Sequence, residues 1–337
     1  MASPTSLKLR RTGSAGLGLH RFAVALAAAT VLLIVAGGLV TSTESGLSVP
    51  DWPTTYGQNM FTFPLSKMVG GIRFEHTHRL VASTVGFLTI MLAFWLWRRE
   101  PRAWVRRLGY AALAAVVAQG VLGGLTVLFL LPTAVSVAHA CLAQTFFCLT
   151  VALAVVTSPR WRDAEPVAPG RVGAAAKVLV GVIFLQLLIG AVMRHTKAGL
   201  AIPDFPLAFG RVVPPIASFS VAVHFAHRVG AVAVAAMAFI VLARARRSAR
   251  PGLRKTAITI VSLVLLQIGL GGLTVLSRKD VLITTGHVAA GALILGTSLA
   301  LALASTREGA RAAAAGARTG PAGARPASPK TGREAVA

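Results

Sequence analysis

The sequence predicts an all-α membrane protein of eight transmembrane helices, built as two tandem four-helix bundles related by a pseudo-two-fold axis along the membrane normal. Three observations carry this. The 337 residues are 55% hydrophobic and only 13% charged, with a mean hydropathy of +0.72, a balance foreign to soluble domains. Continuous apolar runs recur with the length of about 20 residues that a bilayer core requires. The motifs of the first half return in the second at a near-constant offset.

The apolar runs fall near 22–40, 79–97, 108–131, 135–157, 174–193, 219–243, 256–276 and 281–304. They are unbroken and rich in Ala, Leu, Val and Gly, which speaks against the alternating pattern of a membrane β-barrel. The first run follows basic residues as a signal peptide does, but its counterpart later in the chain marks it as a retained span. Lys and Arg are distributed unequally: 25 of the 34 stand on the side that carries the N-terminus, WRREPRAWVRR, PRWRD, RARRSARPGLRK and the C-terminal tail. By the positive-inside rule both termini are cytoplasmic and "EHTHR" (75–79) faces outward. The net charge of +24 does not indicate nucleic acid, because the basic residues stand in short clusters between apolar runs.

Duplication organises the chain. "GGLVTSTESGLSVPDWPTTYG" (37–57) returns as "GAVMRHTKAGLAIPDFPLAFG" (190–210), offset by 153. "HRLVAS" (78–83) returns as "HRVGAV" (227–232), and "QGVLGGLTVL" (119–128) as "QIGLGGLTVL" (267–276). An even number of spans per unit gives both halves the same orientation. The predicted divisions are a cytoplasmic segment 1–19, an N-terminal bundle 20–157, a cytoplasmic linker 158–173, a C-terminal bundle 174–304, and a disordered tail 305–337 rich in Ala, Gly, Pro and Arg.

Eight histidines are present. His20 reads as incidental, His195 as an outer-loop residue and His76 as peripheral. Four others follow the repeat: His78 and His139 in the first half, His227 and His287 in the second. Each pair comes from the second and fourth helices of its bundle, at the outer ends. Ionisable side chains at such positions are costly and usually functional, and two facing imidazoles are what a six-coordinate heme needs. The bland reading, helix capping or local hydrogen bonding, suits one histidine better than four in a duplicated pattern. Zinc is disfavoured because each half offers too few ligands. The glycine pairs at 123–124 and 271–272 suit either a porphyrin wall or close helix packing.

One asymmetry stands out. Glu75, three residues before His78 and on the same helical face, has His224 as its counterpart. A carboxylate beside one histidine pair only suggests that one site performs chemistry and the other holds a fixed redox cofactor; the plainer reading pairs Glu75 with Arg73 or Arg79. Arg79 and Arg228 each follow a ligand histidine, placed either to meet heme propionates or to snorkel to lipid headgroups. Asp51 and Asp204, in "PDWP" and "PDFP", read as turn formers in long loops that would cover each heme edge. Cys141 and Cys148 read as packing residues within a span.

These elements together — the GGLVTSTESGLSVPDWP loop, EHTHR, GGLTVL followed by His139, and their echo — resemble the heme A synthase family over roughly residues 20–304. The resemblance implies an oxidoreductase that converts heme O to heme A by oxidising the C8 methyl of the porphyrin to a formyl group, for use in terminal oxidases. It implies a substrate site in the N-terminal half with Glu75 as the essential carboxylate and His78 and His139 as its histidines. It implies a C-terminal half in which His227 and His287 ligate heme B. Heme O synthase and cytochrome oxidase assembly factors are the partners it suggests. Many bacterial members carry a cysteine pair in each outer loop; here Val49, Thr55, Ile202 and Ala208 stand there, so no loop disulfide or thiol step is available. A diheme membrane cytochrome that only transfers electrons is the alternative, and a transporter built from parallel repeats is a weaker one. No flavin, nicotinamide or iron–sulfur signature names the electron acceptor. The Gly-rich spans permit homo-oligomers, and the composition points to a bacterial plasma membrane, with a mitochondrial inner membrane as the other setting.

Overall fold

A computed structural model describes residues 4–168 and 170–308. Its eight long helices are α1 (Pro4–Ser42), α2 (Gly71–Arg99), α3 (Ala103–Leu128), α4 (Thr133–Thr157), α6 (Arg171–His195), α7 (Phe219–Arg246), α8 (Pro251–Leu276) and α9 (Val281–Ala304), with the one-turn α5 (Pro159–Arg162) between the halves. All eight carry a segment long and apolar enough to cross a membrane. The helices run beyond the apolar stretches read from sequence. Hydropathy marks only the hydrocarbon zone, whereas helical hydrogen bonding continues until a turn residue stops it. His78 therefore lies two turns inside α2 rather than at its start, and His195 is the last residue of α6 rather than a loop residue. Part of the expected N-terminal segment continues α1, from Pro4 onward.

Helix neighbours repeat between the halves. α1, α2, α3 and α4 pack in a closed ring, as do α6, α7, α8 and α9, an arrangement that fits two four-helix bundles. The rings meet where α1 contacts α9, α4 contacts α6, and α4 contacts α9. Exchanging the halves maps the first contact onto the second and the third onto itself, as a two-fold interface requires. Each ring has its own core, around Leu26, Leu92, Leu96 and Leu153 in the first half and Leu179, Ile260, Leu295 and Leu301 in the second. A smaller seam joins Ile34, Phe147 and Ala292 across the rings, where Gly296 leaves room for the Phe147 ring.

The connections are duplicated too. The α3–α4 turn carries two successive left-handed residues, Leu130 (φ 57°) and Leu131 (φ 61°); the α8–α9 turn matches them with Arg278 (φ 54°) and Lys279 (φ 71°). None is glycine, so both turns hold a conformation L-residues seldom adopt. Their backbone bonds match as well, Leu131 N to Thr126 O at 2.7 Å and Lys279 N to Thr274 O at 2.8 Å.

At the opposite, arginine-rich end the halves differ. Glu100, buried after α2, accepts from Arg102 (2.7 Å) and Arg162 (2.8 Å), tying the α2–α3 turn to α5. The linker forms a two-residue strand β1 (Glu165–Pro166) that pairs antiparallel with β2 (Arg307–Glu308). The first residues of the expected tail are thus paired; 309–337 lie outside the described residues.

Candidate functional site

Four histidines and four glycines define matching sites at the loop-bearing end. In each ring the first helix presents a glycine to the histidine of the second, and the third presents one to the histidine of the fourth. A β-carbon on Gly37 would lie 3.0 Å from Cε1 of His78, and one on Gly123 would lie 3.3 Å from Cε1 of His139. In the second half, Gly190 meets His227 and Gly271 meets His287, both at 3.0 Å. Each imidazole thus rests against bare helix backbone. The second glycine of each sequence pair has another neighbour: a β-carbon on Gly124 or Gly272 would lie 2.6 Å from the ring of Trp52 or Phe205, respectively. The glycine pairs therefore seat a histidine and a loop aromatic, a role neither sequence reading anticipated.

The His227 and His287 rings stand edge to face, with centroids 6.3 Å apart and planes at 63°. His287 Nδ1 lies 3.1 Å from the carbonyl oxygen of Gln267 and its Nε2 lies 3.3 Å from the Gln267 side-chain Nε2; a hydrogen donated from Nδ1 leaves Nε2 with the lone pair a metal-bound histidine needs, here turned to the Gln267 amide. In the first half, the Nδ1 atoms of His78 and His139 are buried without a hydrogen-bond partner. Among the described residues no group of three or more His, Cys, Asp or Glu is placed to hold a metal ion.

Loops 43–70 and 196–218 lie over these sites and share one construction. Asp51 accepts from the backbone N–H groups of Tyr56 and Gly57, both at 2.8 Å. Asp204 accepts from those of Phe209 (2.7 Å) and Gly210 (2.8 Å). Tyr56 and Phe209 both have positive φ, at 51° and 54°. Both aspartates are turn formers, as read. For Asp51, desolvation opposes ionisation, but the bonds from Gly57, Thr54 and Tyr56 outweigh it and hold the carboxyl below its ordinary value. For Asp204, the Gly210 and Phe209 N–H groups lower it in the same direction.

Arg79 and Arg228 fasten these loops to the helices. Arg79 donates to the carbonyls of Asp51 (2.7 Å), Thr54 (3.0 Å) and Val49 (2.9 Å), and to Glu75 (2.7 Å). Arg228 donates to Leu207 and Asp204, both at 2.7 Å, and to Ile202 at 3.2 Å. Their terminal nitrogens thus engage loop carbonyls, a role outside both sequence readings. Glu75 is buried: one oxygen meets Arg79 and the other accepts the Val49 N–H at 2.8 Å. The matching atoms in the second half are Ile202 N and His224 Nδ1, 3.2 Å apart. One position therefore pins the loop in both halves, and only the first carries an acid. The ion pair with Arg79 is the plainer of the two sequence readings; it does not remove Glu75 from the neighbourhood of His78.

Several residues were misjudged or missed. His76 is buried rather than peripheral, with Nδ1 3.1 Å from Thr55 Oγ1 and its ring beside Phe63. His20 is bound to the Ala154 carbonyl (3.0 Å), joining α1 to α4. Val49, Thr55, Ile202 and Ala208 are the buried residues of the loops at those positions. Cys141 and Cys148 are free thiols, and Cys148 packs against the second core. Gly37 and Gly190 occupy equal positions in the quoted repeat, a signal that sequence alone offered. Arg194 donates to Gly38 O and Ser42 Oγ on α1, both at 2.9 Å, bridging the halves.

The profile of the family COX15-CtaA, described as cytochrome oxidase assembly protein, matches residues 20–299. The chain is similar to the protein named Heme A synthase of Halalkalibacterium halodurans, 31% identical over 76% of this chain and 87% of the relative. It is 30% identical to the Heme A synthase of Symbiobacterium thermophilum over 79% and 89%, and 29% identical to that of Caulobacter vibrioides over 82% and 93%.

Proposed function

We propose that the protein is a heme A synthase acting on heme O, because the chain belongs to the COX15-CtaA family of cytochrome oxidase assembly proteins and only one of its two matching sites carries a buried acid. That difference, Glu75 against His224 beneath otherwise matching loops, carries the reading. Relatives named Heme A synthase do not favour the alternative of a simple electron carrier.

The residues fit a porphyrin. His227 and His287, with ring centroids 6.3 Å apart, would hold an iron porphyrin between them and leave its iron redox-active. In this reading those two hold heme B, and His78 and His139 receive heme O. The bound heme supplies a redox-active iron for the electron transfers that turn the C8 methyl into a formyl group. The protein supplies the frame. Gly37, Gly123, Gly190 and Gly271 let the imidazoles lie on backbone; Trp52 and Phe205 dock the loops onto α3 and α8 at Gly124 and Gly272. Glu75, beside His78, takes up a proton or stabilises positive charge next to the substrate. With the Lys and Arg bias, the sites face outward from a bacterial plasma membrane, with both termini cytoplasmic.

Expression of the protein in respiring cells that make heme O, which supply the electron acceptor, with the extracted hemes separated chromatographically, tests this. Wild type yields heme A. Glu75→Gln keeps its heme and stops at heme O or its alcohol. Heme A at the normal rate from Glu75→Gln would end the role given to that acid; heme B alone, two per chain with no turnover, would favour an electron carrier.

A further inference from the structure

The helices beside the α4 and α9 histidines carry the same residue types in both halves, whereas those beside the α2 and α7 histidines do not. On α3 and α8 the repeat places Gln119 and Gln267 one turn before the glycines that seat His139 and His287. Beside His227, the α6 residue Gln186 reaches into a notch at Gly230, where any β-carbon would overlap its Oε1. Its Nε2 donates to the His227 carbonyl at 2.8 Å and lies 3.1 Å from His227 Nδ1. Its Oε1 is buried without a partner. At the repeat positions in the first half stand Leu33 and Val81, both apolar, and His78 Nδ1 has no partner.

We infer that Gln186, admitted by Gly230, is a positioning residue that orients His227 as a permanent heme ligand, and that the Leu33–Val81 pair leaves His78 without this restraint, as suits a heme that must leave. A metal on His227 Nε2 requires the ring hydrogen to sit on Nδ1. Half a turn of the terminal amide exchanges the Nε2 bond to the His227 carbonyl for the unpartnered Oε1 on that hydrogen, supplying the outer hydrogen bond that fixes the ring and raises its basicity. Lone polar side chains within apolar spans are costly unless they serve such a purpose, and a glycine opposite the glutamine provides the space it needs.

This rests on heme B residing in the second half, so wild type is measured first. Full-length protein is purified in detergent with its native heme, and the midpoint potential and carbon monoxide binding of the ferrous form are recorded for wild type, Gln186→Leu and the near-isosteric Gln186→Glu. The expected result is a higher potential and new carbon monoxide binding in Gln186→Leu, and a lower potential in Gln186→Glu, since loss of the acceptor weakens the ligand and a charged acceptor strengthens it. Opposite shifts of this kind do not arise from a general loosening of the bundle. Unchanged potentials in both variants at wild-type heme content would overturn the inference and leave the assignment of heme B intact. Wild-type protein without heme on His227 and His287 would overturn that assignment and this inference with it.

Discussion

Beneath the loop of each half a helix side chain accepts one backbone N–H: Glu75 from Val49, His224 from Ile202. Around that point nearly everything else matches, including the aspartate-capped turn, the arginine on loop carbonyls, the aromatic on a glycine, and the histidines on glycine seats. Differences remain next to the histidines. The first half has an acid and an unrestrained His78; the second has a neutral imidazole and a glutamine beside His227. Duplication thus preserved the frame while charge and ligand restraint moved in opposite directions, which is the division expected between a site that processes a heme and one that keeps it.

The largest expected effect comes from removing ligands. His227→Ala or His287→Ala abolishes the Soret band of the purified protein, whereas His78→Ala lowers it only by the fraction of heme bound in the first half; absorption spectra of equal amounts of protein decide this. Next is the acid. Glu75→Gln reduces heme A formation by roughly a hundredfold or more, the usual range for a lost proton-transfer group, while His224→Gln leaves turnover within a few-fold of wild type. Equal losses from the two would break the comparison. The glycine seats sharpen it further. Gly190→Val, whose first added carbon stands 3.0 Å from His227, lowers retained heme B, and Gly37→Val lowers turnover with heme B retained; extraction and assay of the same samples separate the two.

The smallest effect is in the loops. The carboxyls of Asp51 and Asp204 sit below their ordinary value in the folded protein. Their contribution is complete above the unfolded aspartate value of about 3.9 and is lost as pH falls through the lower folded value. Cleavage of loops 43–70 and 196–218 by an acid-active protease should therefore rise together at low pH and stay level from pH 5 to 8. Asp51→Asn should loosen only the first.

Much of this was legible beforehand. The spans follow from hydropathy, because hydrocarbon imposes length and composition on any helix that crosses it. The histidine pairs and Glu75 follow from the repeat, because two copies of one motif expose every position where they disagree. The role of Arg79 was harder to read, since a guanidinium satisfies a carbonyl, a propionate or a headgroup equally well and only the loop's path decides among them. His76 was misjudged because its neighbour Thr55 comes from a loop 21 residues away, a contact no helical period encodes. Gln186 left a faint trace, one amide in an apolar span, but its partner Gly230 belongs to another helix, a pairing no helical period encodes.

Extraction of the hemes from wild type, from His227→Ala/His287→Ala and from His78→Ala/His139→Ala, all loaded in cells that make heme O, tests the division between the halves most directly. The account predicts heme B in wild type, its loss from the first double variant, and its retention in the second with heme O and heme A gone. Loss of heme B from the N-terminal double variant, with heme B kept when His227 and His287 are replaced, would contradict it.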